Sequence, residues 1–141
     1  MIKRMTSSDI SLIAGIDKEA FNKPWNEQDF KDELKKDHAY YFTAELDGKT
    51  VGYGGIWCVY ETAELIRIAV VPSSRGRGAA GKIMEHILVF AAEKGCEKMM
   101  LEVRESNETA RGLYKKYGFS EISVRKGYYD GEDAVIMQKE L

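Results

Sequence analysis

Ile10, Ile13, Ala14, Asp17, Ala20 and Phe21, mostly apolar, recur at helical intervals and predict a first helix. Thr6, Ser7 and Ser8 precede it as candidate caps, and Pro24 ends or redirects it. Asn26 with Asp29 resembles a capping box for a second helix carrying Phe30 and Leu34. From residue 39 the rhythm changes. The stretch AYYFTAEL is rich in aromatic and β-prone residues and predicts a strand. Asp47-Gly48 is a hairpin signal, and TVGYGGIWCVY is the returning strand. Its glycines at 52, 54 and 55 predict a bulge or a close backbone approach.

AELIRIAVV predicts the next strand, stopped by Pro72. Ala80, Ile83, Met84, Ile87, Leu88 and Ala91 mark one face of a helix that Gly95 ends. KMMLEVR is another strand. Ser106 or Asn107 caps a helix bearing Ala110, Leu113, Tyr114 and Tyr117, closed by Gly118. SEISVRKGYY and DAVIMQKEL are two last strands around Asp130-Gly131. No linker or repeat interrupts the chain, so residues 1–141 form one expected domain. The order of elements predicts an α+β fold with a central mixed, mostly antiparallel sheet and about four flanking helices.

Composition narrows the classes. A hydrophobic content of 44% with 31% charged residues suits a folded, soluble domain rather than a disordered chain. A net charge of −2 lacks the basic surplus of a general nucleic-acid binder, so no nucleic-acid partner is expected. No apolar run is long enough to cross a bilayer, and MIKRMTSSDIS has no secretory signature. The expectation is a cytoplasmic protein without a membrane partner. Cys58 and Cys96 form no metal or CxxC pattern, so reduced thiols and no metal are expected.

The chemistry concentrates in RGRGAAGKI, residues 75–83, which fits three phosphate-binding patterns. Gly76, Gly78 and Gly81 spell GxGxxG; Gly76 to Lys82 spell GxxxxGK; Arg75, Gly78 and Ala80 spell RxxGxA. All three place backbone N–H groups at a helix N-terminus, where an anion is attracted. A P-loop needs Ser or Thr after GK to hold magnesium, and Ile83 stands there. A dinucleotide fingerprint needs the first glycine directly after a strand, whereas Pro72 to Arg75 intervene, and the chain has too few βα units. The RxxGxA pattern fits its surroundings best.

LIRIAVV, then Pro72, then RxxGxA and a helix resembles the acetyl-coenzyme A loop of the GNAT acetyltransferases. FNKPWNEQDF, LIRIAVVP, LEVRESNETARGLYKKYGF and GYYDGEDAVIM resemble successive blocks of RimI-type members of that family, which acetylate protein N-termini. The likeness runs through nearly the whole chain in order. It departs at Ala80, where many members carry glycine, and at Val71, where an acid is common.

The resemblance implies a GNAT acyl-CoA N-acyltransferase fold and direct attack of an amine on a thioester. Acetyl-CoA would lie against Arg75, Gly76, Arg77, Gly78, Ala79, Ala80 and Gly81, with Ile68, Ala69 and Val70 offering backbone N–H groups to the thioester. Asn107 would reach the pantetheine arm besides capping its helix. Glu102 is implied as the base and Tyr114 as the acid. Strand alternation independently turns Glu102 away from Leu101 and Val103. By pattern alone Glu102 reads as a strand glutamate pairing with Arg104 or Arg67, and Tyr114 as a core tyrosine; the resemblance turns both toward catalysis.

Trp25, Tyr128, Tyr129, Glu132 and Asp133 match blocks around the family's peptide site, where aromatic walls and carboxylates suit a cationic N-terminus. Core or strand-partner roles for Trp25 and Tyr128 stay open. So do solvated-charge roles for Arg75 and Arg77, and neither His38 nor His86 is expected to act. The implied acceptor is a protein α-amine, with a ribosomal protein beginning in alanine as the family-derived case. A lysine side chain or small amine is the enzymatic alternative, and a non-catalytic acyl-CoA sensor is the alternative of another class.

Overall fold

The computed structural model describes residues 1–141. Its elements run β1 (Ile2–Arg4), α1 (Ile10–Ala20), α2 (Glu27–Leu34), β2 (Ala39–Leu46), β3 (Lys49–Val59), β4 (Thr62–Val70), α3 (Ala79–Glu93), β5 (Lys98–Arg104), α4 (Glu108–Lys116), β6 (Ser120–Tyr129) and β7 (Glu132–Glu140). The strands follow the order β1-β2-β3-β4-β5-β7-β6. β4 and β5 pair parallel; β1–β2, β2–β3, β5–β7 and β6–β7 pair antiparallel. This is the α+β mixed sheet with four helices that the patterning predicts.

The chain divides into two compact units. The first comprises Met1–Trp57 and Ile66–Ile87. Thr6 caps its entry, with the Asp9 carboxylate returning to the Thr6 N–H at 2.8 Å. Asn26 and Asp29 form the predicted capping box of α2, Asn26 Oδ1 accepting from the Asp29 N–H at 2.8 Å. Asp47 and Gly48 both take positive φ, 53° and 78°, as a tight hairpin turn requires. Tyr41 and Tyr53 on β2 and β3 are buried with Ile10, Ile13, Ile16 and Phe30 of the two helices. The opposite sheet face meets α3. There Phe42 packs its ring edge-on to His86, with centroids 4.6 Å apart.

The glycines of β3 mark close approach. A Cβ on Gly52 would stand 2.6 Å from the Ala69 carbonyl oxygen, and one on Gly55 would overlap the Tyr41 ring at 2.1 Å. The register shift falls on the partner strand instead, between Ala44 and Glu45. Two local expectations change. β1 was not predicted, because three residues are too few to show a period. Ala79 rather than Ala80 begins the buried stripe of α3, continued by Ile83, Met84, Ile87 and Ala91.

The second unit comprises Cys58–Leu65 and Leu88–Leu141. Met99, Leu101 and Val103 alternate into its core from β5, with Leu101 in register with Met137 of β7 and Val103 with Val135. Asn107 rather than Ser106 caps α4, its Oδ1 accepting from the Ala110 N–H at 3.1 Å. Tyr114 is the buried residue of α4 and packs against Phe119, ring centroids 5.9 Å apart. β6 is the edge strand and is exposed along almost its whole length.

Candidate active site

The first unit carries the glycine-rich loop at residues 75–81. Pro72–Ser74 form one turn of 3-10 helix after β4, and Arg75 N–H donates to the Pro72 carbonyl at 3.3 Å. The next amide to find a backbone carbonyl is Lys82, which donates to Gly78 at 3.1 Å. The six amides from Gly76 to Gly81 therefore donate to no backbone acceptor. Three belong to the opening turn of α3, where a helix leaves its N–H groups unpaired. The other three lie in a turn where Gly76 and Gly78 both take φ near +81°. Such left-handed residues turn successive N–H groups toward one side and make a nest for an anion. The start of α3 adds the positive end of its dipole.

The arginines are engaged. Arg77 Nη2 meets Asp47 Oδ2 at 3.0 Å, an exposed pair worth about 0–1 kcal/mol. Arg75 Nε donates to the Val70 carbonyl at 3.3 Å and braces the turn back on β4. Ile68, Ala69 and Val70 occupy the last third of β4. Pairing of β4 with β5 covers only Thr62–Glu64, so no ladder continues along that edge at Ile68–Val70.

The second unit holds the titratable cluster. Glu102 projects from β5 opposite the packed residues and is half-buried. Its Oε1 accepts from Arg125 Nη1 of β6 at 3.1 Å. The partner is neither Arg104 nor Arg67, the two that the sequence suggested. Glu64 of β4 lies in register with Met100, two residues before Glu102. Glu64 is exposed, yet partial desolvation and, secondarily, the Glu102 charge raise its carboxyl above its ordinary range. Tyr129 is raised by the same two causes and lies 4.2 Å, centroid to guanidinium carbon, from Arg104. Burial pushes the Tyr114 phenol up to about 12.

The expected acceptor residues divide. Tyr128 is exposed on β6, with its ring 5.2 Å from that of Tyr129. Glu132 Oε1 accepts from Arg104 Nη1 at 3.0 Å and its Oε2 from the Ser106 N–H at 3.1 Å, which pulls its carboxyl below the usual range. Asp133 Oδ1 accepts from the Gly127 N–H at 2.8 Å. Both carboxylates thus already fix local backbone. Trp25, in the first unit, packs edge-on to Phe30 at 5.3 Å. Sequence reasoning missed Glu64 and Arg125, and it offered Arg67 only as a partner for Glu102. Their partners lie far along the chain, so only strand register brings them into reach.

The match to known proteins decides the family. Residues 10–119 match the acetyltransferase (GNAT) family model. The chain belongs to the GNAT family. It is an acetyl-CoA-dependent N-acetyltransferase with the fold of that family. Among its curated relatives, a Bacillus subtilis (strain 168) protein is 37% identical over 139 residues, 96% of this chain and 92% of that one; its name gives bS18-alanine N-acetyltransferase provisionally. The ribosomal protein bS18-alanine N-acetyltransferase of Escherichia coli (strain K12) is 31% identical over 96% of this chain and 94% of its own length. The crystal structure of the ribosomal-protein-S18-alanine N-acetyltransferase from Escherichia coli superposes with a TM-score of 0.92 at 29% identity, covering 99% of this chain and 92% of that one.

Proposed function

We propose that this GNAT enzyme transfers acetyl from acetyl-CoA to the N-terminal α-amine of a protein in the cytoplasm, with the alanine of ribosomal protein bS18 as acceptor. The acceptor assignment rests on likeness to bS18-alanine enzymes over more than nine-tenths of both chains. The observation that carries the cosubstrate side is the unbroken run of free amides from Gly76 to Gly81. A nest and a helix N-terminus together suit a diphosphate better than a neutral ligand.

In this reading the chain binds the diphosphate through Arg75, Gly76, Arg77, Gly78, Ala79, Ala80 and Gly81. Backbone N–H groups of Ile68, Ala69 and Val70 hold the thioester and the oxyanion formed from it. Asn107 contacts the pantetheine arm. A protein α-amine has a pKa of about 7.7–8.0 and is substantially protonated at neutral pH. Glu102, through a water, takes that proton. The neutral nitrogen then attacks the thioester carbonyl and an N–C bond forms; the nitrogen, now cationic, releases its second proton to solvent water, and the C–S bond breaks as the tetrahedral intermediate collapses to the amide. Tyr114 gives a proton to the leaving thiolate. Trp25, Tyr128 and Tyr129 wall the acceptor, and Glu132 and Asp133 add negative potential for a cationic N-terminus.

A peptide panel tests this. Peptides beginning with alanine, serine or methionine, and an α-blocked peptide containing lysine, are incubated with acetyl-CoA and analysed by fragment-ion mass spectrometry. One acetyl group on the alanine α-amine is expected, with none on the blocked peptide. Label confined to lysine would move the enzyme to side-chain acetylation. Coenzyme A binding without release of thiol would make it a sensor.

A further inference from the structure

The connection between α1 and α2, residues 21–26, carries Trp25 and has no regular structure. Apart from half-buried Phe21 and Trp25 its residues are exposed. One side chain of β4 holds it. The Arg67 guanidinium carbon lies 4.1 Å from the Phe21 ring centroid and 4.6 Å from that of Trp25, so both rings contact one cation. Arg67 Nη2 also donates to the Lys23 carbonyl at 3.3 Å. Three of the six connecting residues thus touch Arg67.

Arg67 is itself fixed from below. Asp17, in the last turn of α1, is fully buried. Its Oδ2 accepts from Arg67 Nη2 at 2.8 Å and from the Trp25 N–H at 2.7 Å. Its Oδ1 accepts from Arg67 Nε at 3.1 Å and from the buried Tyr53 hydroxyl. A buried pair of this kind is weak evidence of stability, because desolvation offsets much of the attraction. What it fixes is geometry: one guanidinium carries both rings, and its fork and the Trp25 main-chain amide meet on one carboxylate. The residue after Arg67 is Ile68, where the stretch assigned to the thioester begins.

We propose that Arg67 is a positioning residue for the acceptor: with Asp17 it pins the Phe21–Trp25 segment to β4, so that Trp25 presents a fixed wall to the incoming N-terminus. The proposal rests on the N-terminal acetylation reading for its substrate and on the clamp geometry for its residue. Arg67 touches no reacting atom; it acts through Trp25. Lysine cannot replace it, since an ammonium keeps the charge opposite Asp17 but loses the fork and the flat face.

Arg67→Lys is the test. The KM for an alanine-starting peptide should rise about tenfold, while kcat and the KM for acetyl-CoA stay within about twofold. Hydrogen exchange of the Trp25 amide, measured without any substrate, should quicken by about tenfold as its bond to Asp17 loosens. Phe21→Leu removes one stacking face without touching the ion pair and should show both changes more weakly, which covers failure of the first variant to fold. Faster exchange with an unaltered peptide KM would leave a clamp with no positioning role and overturn the proposal. So would equal losses in kcat and both KM values, the mark of a general structural defect. A wild-type enzyme that acetylates no N-terminal peptide would sink the acceptor assignment instead, and unaltered Trp25 exchange in both variants would then sink the clamp separately.

Discussion

Arg125 Nη1 on β6 stands 3.1 Å from Glu102 Oε1 on β5, so the carboxylate assigned as base is met by a cation from the edge strand. The arginine side chain is 56% exposed and the glutamate 25%. Such a pair contributes about 0–1 kcal/mol. Glu102→Gln is expected to lower kcat by roughly 10²-fold, most visibly at low pH where the acceptor amine is largely protonated, with coenzyme A affinity retained. Steady-state kinetics across pH with calorimetric titration of coenzyme A checks this. An unchanged rate at every pH would remove Glu102 from the mechanism.

Tyr114 tests the other proton. With its phenol pushed up to about 12 by burial, it stays protonated throughout the working range and can only donate. Tyr114→Phe keeps the ring contact with Phe119. Turnover should fall by roughly 10- to 100-fold, while the melting temperature moves little. Normal kinetics would return the residue to a packing role.

Glu64 gives a pH signature of stability. Its side chain is exposed, and partial desolvation first, then the Glu102 charge, raises its folded carboxyl above the ordinary range. A raised acid binds its proton more tightly when folded, so its favourable contribution is complete below the unfolded pKa and is lost as pH rises through the folded one. Glu64→Gln should therefore melt higher than the parent at pH 7.5, and the gap should close as pH falls below the ordinary carboxyl range. Melting curves at several pH values decide; a gap that widens in acid contradicts the assignment.

Thr43 is fully buried on β2, and its Oγ1 is the one buried side-chain polar atom without a hydrogen-bond partner. A buried hydroxyl without a partner costs about 1–3 kcal/mol of desolvation, and valine fills the same volume without it. Thr43→Val is expected to raise stability by about 1 kcal/mol in urea unfolding. Destabilisation of that size would show that the hydroxyl is satisfied in solution.

The turn residues made most of the fold legible. β2, β5 and β6 begin and end where the patterning places them, because Asp47-Gly48, Gly95, Asn107, Gly118 and Asp130-Gly131 punctuate the chain. The turn at residues 75–81 was readable as backbone geometry, since Gly76 and Gly78 take the positive φ that glycine favours. The ion pairs were not. Arg67 and Asp17 are 50 positions apart, and Glu132 meets Arg104 across 28. Any of the chain's many charges could have been their partners until strand register chose. The same holds for Glu64, which comes near Glu102 only because β4 and β5 run parallel through Glu64 and Met100.

The most direct measurement is a titration of the nitrogen-15-labelled protein with coenzyme A, following backbone amide resonances. The amides of Gly76, Gly78 and Gly81 should move early and far, and a competing inorganic pyrophosphate should move the same group. Stationary resonances there, with large shifts confined to other segments, would mean that this turn does not hold the diphosphate.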